Sequence, residues 1–393
     1  MDLFEDSRLR DALFRAFFDA RKNKRNTINA LAFEMDLETN LRKLYEDIIY
    51  GTYNISPSIC FIVEKPVKRE IFAANFRDRV VHHYVINQLM DVFENQFIYD
   101  SYSCRVGKGN LFGVERLRKF IRSCTANYSR DAYILKLDIQ GFFMNINKKQ
   151  LCDKITTLVR RKYQGWDKEI LLSLIRQIVM NDPTDGCIVK GKRSDWDGLP
   201  SSKSLFCTPK ECGLPIGNLT SQVFANYYLS DFDRFMKETL RLKYYGRYVD
   251  DFFIVHNDRV FLRSLIPVIK EYLKTTVDAT LHPRKVYLQS CYKGVSFLGA
   301  YIFPYRTYPA KRTKGNFTET VRKISRTCPS LNSYIPKEQM KLTEAQMNSY
   351  LGVCQHYKAF RFCEKLIGAI PDSFLKRFEV DEQYRKVLWR ELQ

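Results

Sequence analysis

The chain has 393 residues, 45% hydrophobic and 27% charged, without long low-complexity runs, which excludes a disordered protein and allows a substantial core. Lysine and arginine number 64 against 44 aspartates and glutamates, a formal charge of +20 that would draw a polyanion such as nucleic acid. No apolar run approaches the roughly 20 residues of a membrane span. The amphipathic start MDLFEDSRLRDALF lacks the apolar stretch of a signal peptide, so the eleven cysteines are expected as free thiols in a reducing cytoplasm. Cys187, Cys207 and Cys212 lie near one another, but no second closely spaced pair completes four zinc ligands.

Along the chain, Leu9, Leu13, Ala16, Phe17 and Ala20 recur at helical spacing, as do Leu41, Leu44, Tyr45 and Ile48. Between them Arg21-Lys22-Asn23-Lys24-Arg25 is either a solvated helix end or a phosphate contact, and Pro57 ends the region. Residues 58–65 and 68–74 predict two strands around Pro66, a hairpin with a charged tip. A buried helix over 77–93, a glycine-punctuated loop at 104–109 and a helix over about 111–125 follow. Residues 132–139, AYILKLDI, predict a central strand, with helices at about 147–162 and 167–180 beyond it. Residues 181–212 are polar, rich in Gly, Pro, Ser and Lys, and aperiodic, which predicts an insertion loop. A helix over about 218–240 precedes two short strands that meet at a turn, LKYYGRYV and FFIVH. A helix over 258–275, short strands to about 305 and a helical remainder complete an α+β protein with a small sheet.

Two features carry chemistry. Tyr248-Val249-Asp250-Asp251 falls where one strand ends and the next begins, and Asp138 closes the central strand. Adjacent aspartates are common in solvated turns, but apolar and aromatic residues flank this turn on both sides. Three carboxylates on one sheet repel unless a cation neutralises them. Hard divalent ions with oxygen ligands meet that need, magnesium above all where phosphates complete the shell. Two such ions about 3.5–4 Å apart stabilise the attacking and leaving oxygens of phosphoryl transfer.

In this setting the chain resembles reverse transcriptases. LKLDIQGFF (135–143) is similar to polymerase motif A, GLPIGNLTSQ (213–222) to motif B and YVDD (248–251) to motif C. LHPRKVYL (281–288) resembles motif D and SFLGAYI (296–302) the primer grip. Upstream, VEKPVKREI (63–71) and SYSCRVGKGN (101–110) resemble the fingers strands of the retrointron branch and the segment after them. Order and spacing agree over about residues 60–305.

The resemblance implies an α+β right-hand polymerase with an antiparallel palm sheet and a mostly helical thumb. Its parts would be an N-terminal helical extension (1–57), fingers (58–131), a palm (132–305) containing the 181–212 loop, and a thumb (306–393). Asp138 and Asp250, supported by Asp251, would hold two magnesium ions, for which manganese could substitute, with the Ile139 carbonyl completing one shell. Lys285 would protonate departing pyrophosphate. Lys65 and Arg69 would hold the triphosphate of the incoming dNTP, with Lys68 able to replace either. Phe143 would exclude a 2′-hydroxyl, and Phe142 beside it is the better core aromatic.

Motif B narrows the resemblance. Most retroviral and intron enzymes carry Gln-Gly followed by Ser-Pro, whereas this chain has Ile216-Gly217 followed by Ser221-Gln222. That pattern is similar to the reverse transcriptases of diversity-generating retroelements. Those bacterial and phage systems copy a template RNA with errors at adenines and transfer the cDNA into a variable protein gene. Ile216, Gly217 and Gln222 are then expected beside the nucleotide. The expected partners are template RNA, the RNA–cDNA duplex and an accessory variability protein, in the cytoplasm of a bacterial or phage-infected cell. Defence-associated bacterial reverse transcriptases share motifs A and C and are the alternative, and an inactive RNA-binding scaffold is a third reading.

Overall fold

The computed structural model describes residues 3–22, 24–25, 27–64, 67–327 and 336–390. Three helices open the chain: α1 (Leu3–Arg21), α2 (Ile28–Met35) and α3 (Leu37–Ile49). The hairpin strands are β1 (Ile59–Val63) and β2 (Arg69–Ala73), followed by α4 (Phe76–Glu94), α5 (Asn110–Cys124) and β3 (Tyr133–Asp138). Next come the short α6 (Phe142–Asn145), α7 (Lys148–Lys162), α8 (Lys168–Met180) and β4 (Ile188–Val189). Helices α9 (Leu219–Tyr228) and α10 (Ser230–Arg234) run into a π turn at Phe235–Thr239. Strands β5 (Tyr245–Tyr248) and β6 (Asp251–His256) precede α11 (Arg259–Thr276). Strands β7 (Tyr287–Ser290), β8 (Val295–Phe297), β9 (Ala300–Phe303) and β10 (Arg306–Pro309) follow. Helices α12 (Lys311–Thr327), α13 (Lys337–Cys354), α14 (Phe360–Ile367) and α15 (Asp372–Leu375) precede a final hairpin, β11 (Phe378–Val380) and β12 (Val387–Trp389).

The chain forms two compact units: Met1–Gly109 with Lys136–Phe253 and Ser264–Val286, and Asn110–Leu135 with Ile254–Arg263 and Tyr287–Gln393. In the first, the apolar stripe Leu9, Leu13, Ala16, Phe17 and Ala20 is buried as α1 packs on α4. The rings of Phe17, Phe33 and Phe76 meet there at 5.4–6.1 Å. Strands β1 and β2 pair antiparallel, Cys60 opposite Phe72 and Ile62 opposite Glu70. The 181–212 segment is not featureless. It supplies β4, which pairs parallel with β1, and three 3₁₀ turns. A two-residue strand is too short to leave a period in the sequence. The helix expected over 218–240 is divided by the break at Leu229 and by the π turn, where Phe235 stacks on Tyr272 at 4.0 Å. In this unit β6 lies between β5 and β3, which brings the end of β3 beside the β5–β6 turn.

In the second unit the start of β3 neighbours β7, and the Cys291 N–H donates to the Ala132 carbonyl at 2.9 Å. Strands β8, β9 and β10 form an antiparallel sheet. Helices α12, α13 and α14 enclose a core of Phe317, Val321, Met347, Leu351 and Cys363. Val387 of the β11–β12 hairpin completes that core, so the C-terminal region is mostly helical but not wholly so. Among the described residues no helix is long and apolar enough to cross a membrane.

Candidate active site

The β5–β6 turn is built on a strained residue. Val249 has φ 55°, a conformation costly for a β-branched side chain that persists only when its surroundings hold it. The fully buried Arg247 supplies the hold by donating from Nη1 to the Val249 carbonyl at 2.9 Å. The same guanidinium donates to both oxygens of the fully buried Asp233, at 2.7 and 2.5 Å, and to the Asn226 carbonyl at 3.2 Å. Tyr245 donates its hydroxyl to Asp233 at 2.6 Å. Every member of this buried network has a partner, as its burial requires.

Backbone bonds then fix Asp138 against the turn. The Ile139 N–H donates to the Asp250 carbonyl at 3.1 Å, and the His282 N–H to the Asp138 carbonyl at 2.8 Å. The Gln140 N–H donates to the Thr280 carbonyl at 2.8 Å, which aligns the segment leading to Lys285. These bonds bring the backbone of Asp138 and Ile139 beside that of Asp250, and Lys285 reaches the Asp138 carboxylate.

Their electrostatics are those of an overcrowded anionic cluster. Burial, then the charges of Asp138 and Asp251, push the Asp250 carboxyl up to about 6. Burial likewise pushes Asp251 up to about 6, with Asp138 adding to it and Lys136 opposing. Lys136 Nζ lies 3.0 Å from Asp251 Oδ1, a buried oxygen without a well-formed hydrogen bond. Lys285 Nζ donates to both oxygens of Asp138, each at 2.8 Å. Among the described residues no three His, Cys, Asp or Glu side chains converge closely enough to hold a metal ion in this arrangement. The donor set nonetheless suits a hard divalent cation. It consists of carboxylates with one backbone carbonyl nearby, and the two lysines leave Asp250 and Asp251 still shifted upward.

Phe143, Ile216, Gly217, Gln222 and Arg69 lie on α6, in the motif B segment and on β2. Phe142 is buried and Phe143 half-buried, their rings 5.7 Å apart at a steep angle. Phe143 and Ile216 pack against a cluster of Cys60, Phe72, Met144 and Leu205. The Ile216 carbonyl accepts from the Phe72 N–H and the Asn218 side chain from the Ala74 N–H, both at 3.0 Å, so the motif B loop is bonded along β2. Gly217 has φ +125°, and a Cβ there would lie 2.9 Å from the Ile71 side chain. Gln222 is exposed and accepts from the Cys104 thiol at 2.9 Å. Arg69 is exposed on β2, near enough to Tyr248 to pull its hydroxyl's pKa down, although burial raises it more. Lys68 is engaged elsewhere, donating to the Asp197 carbonyl at 2.8 Å. Lys65 lies outside the described residues.

Sequence reasoning did not single out Arg247, Asp233, Lys136 or Asn218. The one available signal was Arg247 itself, a cation between Gly246 and Tyr248 in a strand that must be largely buried.

Two aspartates in a tight strand–strand turn, beside a third at the end of the neighbouring strand, lie on the α+β fold of right-hand polymerases. A profile of the reverse transcriptase (RNA-dependent DNA polymerase) family matches residues 64–302, and the chain belongs to that family. No curated protein matches the sequence. Among solved structures it is similar to the telomerase of Candida tropicalis truncated from its C-terminal domain. Identity there is 13%, the TM-score 0.46, and the match covers 67% of this chain and 58% of that one. It is also similar to the telomerase of Candida albicans in complex with a TWJ fragment of telomeric RNA, at 11% identity and a TM-score of 0.45. That match covers 85% of this chain and 64% of the telomerase, so this chain spans less than two thirds of either neighbour's length.

Proposed function

We propose that this reverse transcriptase copies the template RNA of a diversity-generating retroelement into adenine-mutagenised cDNA. The observation that carries the reading is Ile216. At the position where accurate enzymes present a glutamine, an aliphatic side chain packs against Phe72, Leu205 and their neighbours. Such a side chain offers shape to the nucleotide but no hydrogen bond.

In this reading Asp138, Asp250 and Asp251, with the Ile139 carbonyl, hold two magnesium or manganese ions. Bound there, such ions would supply charge stabilisation to phosphoryl transfer. The chain's own groups do the rest. Lys285, which donates to both oxygens of Asp138 in this structure, would deliver a proton to departing pyrophosphate. Arg69, with Lys65, binds the triphosphate of the dNTP. Phe143 packs beneath the sugar, and Gly217 and Gln222 complete the nucleotide's surroundings. Residues 1–57 form the N-terminal extension, 58–131 the fingers, 132–305 the palm and 306–393 the thumb.

The partners are template RNA, the RNA–cDNA duplex and an accessory variability protein, in a bacterial or phage-infected cytoplasm. The +20 charge supports nucleic acid. A cavity of about 180 Å³ in the same chain is lined by Ile59, Phe61 and Phe76 together with Lys24, Arg79 and Lys190. The test is to sequence cDNA made from the native template in the presence of the accessory protein. Errors concentrated at template adenines, abolished with all synthesis in Asp250→Asn, are expected. Accurate cDNA would exclude the retroelement role while leaving the polymerase intact.

A further inference from the structure

The 181–212 segment has no part in the mechanism above, yet it is fastened to β1 and β2 at several points. The Ile188 N–H donates to the Ser58 carbonyl and the Lys190 N–H to the Cys60 carbonyl, both at 2.8 Å. The tightest fastening is Glu70, whose side chain belongs to a residue only 1% exposed. Glu70 Oε1 accepts from Trp196 Nε1 at 2.7 Å and from Ser204 Oγ at 2.8 Å, while Oε2 accepts from the Leu205 N–H at 2.6 Å. All three donors are uncharged and all come from the segment. Hydrogen bonds to a buried carboxylate are short and strong, and losing one partner strands the others.

The far side of that anchor bears on α6. Leu205 packs with Met144, and a Cβ on Gly213 would lie 2.6 Å from Leu205 Cδ2. A Cβ on Gly141, the residue before α6, would lie 3.3 Å from the Ser202 carbonyl. The Leu214 N–H donates to the Phe143 carbonyl at 2.8 Å and the Gly213 N–H to the Ile146 carbonyl at 2.9 Å. The α6 turn thus meets Leu205, whose amide Glu70 holds, and is hydrogen-bonded by Gly213 and Leu214, the first of which abuts the Leu205 side chain.

We propose that Glu70 is a positioning residue for sugar selection. Through Ser204 and Leu205 it holds the 181–212 segment against α6 and so fixes where the Phe143 ring stands. This rests on the reading of Phe143 as the sugar gate, and it predicts that discrimination between dNTP and rNTP depends on a carboxylate that touches neither. Replacing it with glutamine puts an amide donor against groups that are themselves donors. The segment then loosens without any change in side-chain size.

The test measures single-nucleotide incorporation of dNTP and rNTP on a primed RNA by the full chain, its Glu70→Gln and Phe143→Ala forms, and the double variant. Amide exchange at Leu205 and Leu214 is followed in parallel. Glu70→Gln is expected to speed exchange at both amides, raise KM for dNTP more than it lowers kcat, and cost roughly 10-fold in sugar discrimination. In the Phe143→Ala background it should cost no further discrimination, because the gate it positions is gone. Unchanged exchange at Leu214 in Glu70→Gln overturns the link, as does an equal, additive loss of discrimination in both backgrounds. A fall in unfolding temperature with KM and discrimination intact likewise reduces Glu70 to a structural role. If Phe143→Ala alone leaves discrimination unchanged, the gate assignment fails and with it sugar selection as the purpose of the link. Unlike the other outcomes, that result is visible without any change at Glu70.

Discussion

Arg247 grips Asp233 through two guanidinium nitrogens and the Val249 carbonyl through the third, so one buried ion pair supports the strained residue beside Asp250. Breaking a buried pair from one side strands a charge and costs about 3–5 kcal/mol, whereas replacing both partners with apolar groups is often close to neutral. Asp233→Asn should therefore destabilise the chain by that amount in urea unfolding. Arg247→Met with Asp233→Leu should recover much of the stability. It should not recover primer extension, because the Val249 carbonyl has lost its donor. A double variant that polymerises normally would remove the pair from the catalytic argument.

Chelation and pH test the carboxylate cluster together. Asp250 and Asp251, pushed up to about 6 from an ordinary 3.8, bind protons more tightly in the folded chain than in the unfolded one. Their contribution to stability therefore falls as pH rises through about 4–6 and stays low above it. His82, pushed down to about 3 from an ordinary 6.5 by burial, works the other way across the whole of this range, but it does so in variant and unmodified protein alike. In chelator at pH 7, Asp250→Asn should be more stable than the unmodified chain, on the order of 1–2 kcal/mol, with a shallower decline between pH 4 and 7. Magnesium should then stabilise the unmodified chain more than the variant. Thermal unfolding across this range decides the matter, and identical pH profiles would mean that the cluster carries no electrostatic strain.

The charge excess makes a separate demand. If the +20 surplus lines a nucleic-acid path, binding releases counterions. With about six to ten phosphate contacts, affinity for an RNA–DNA duplex should fall by roughly 10³–10⁵ between 50 and 200 mM salt. Titration by fluorescence anisotropy at four salt concentrations gives the slope. A flat response would assign the basic surface to another partner.

Fidelity should turn on Ile216. A misaligned nucleotide forfeits little against an aliphatic wall, while a glutamine offers a donor and an acceptor that reward correct geometry. Ile216→Gln is expected to lower misincorporation opposite adenine about 5–150-fold, equivalent to about 1–3 kcal/mol of discrimination, with synthesis retained. Deep sequencing of cDNA from one adenine-rich RNA compares the two proteins. Equal error rates would leave Ile216 as packing alone.

The main strands and the carboxylates they carry were legible because their signals are local. AYILKLDI and FFIVH are apolar runs of strand length, and the aspartates stand at their ends. The buried helices α4 and α9 announced themselves in the same way, through continuous apolar faces. Beyond α9 the local signal failed, because periodicity does not report a π turn against which a ring of α11 stacks.

Glu70, Asp233 and Arg247 belong to a different category. By alternation alone a charged residue in a strand reads as solvent-facing, and nothing nearby corrects that reading for Glu70. Its partners Trp196, Ser204 and Leu205 stand 126, 134 and 135 residues away. Whether such a charge is buried and useful or exposed and idle depends on donors that only chain folding brings within 3 Å. Patterns of hydrophobicity specify which surfaces meet, but they do not encode which polar atoms face each other once they do.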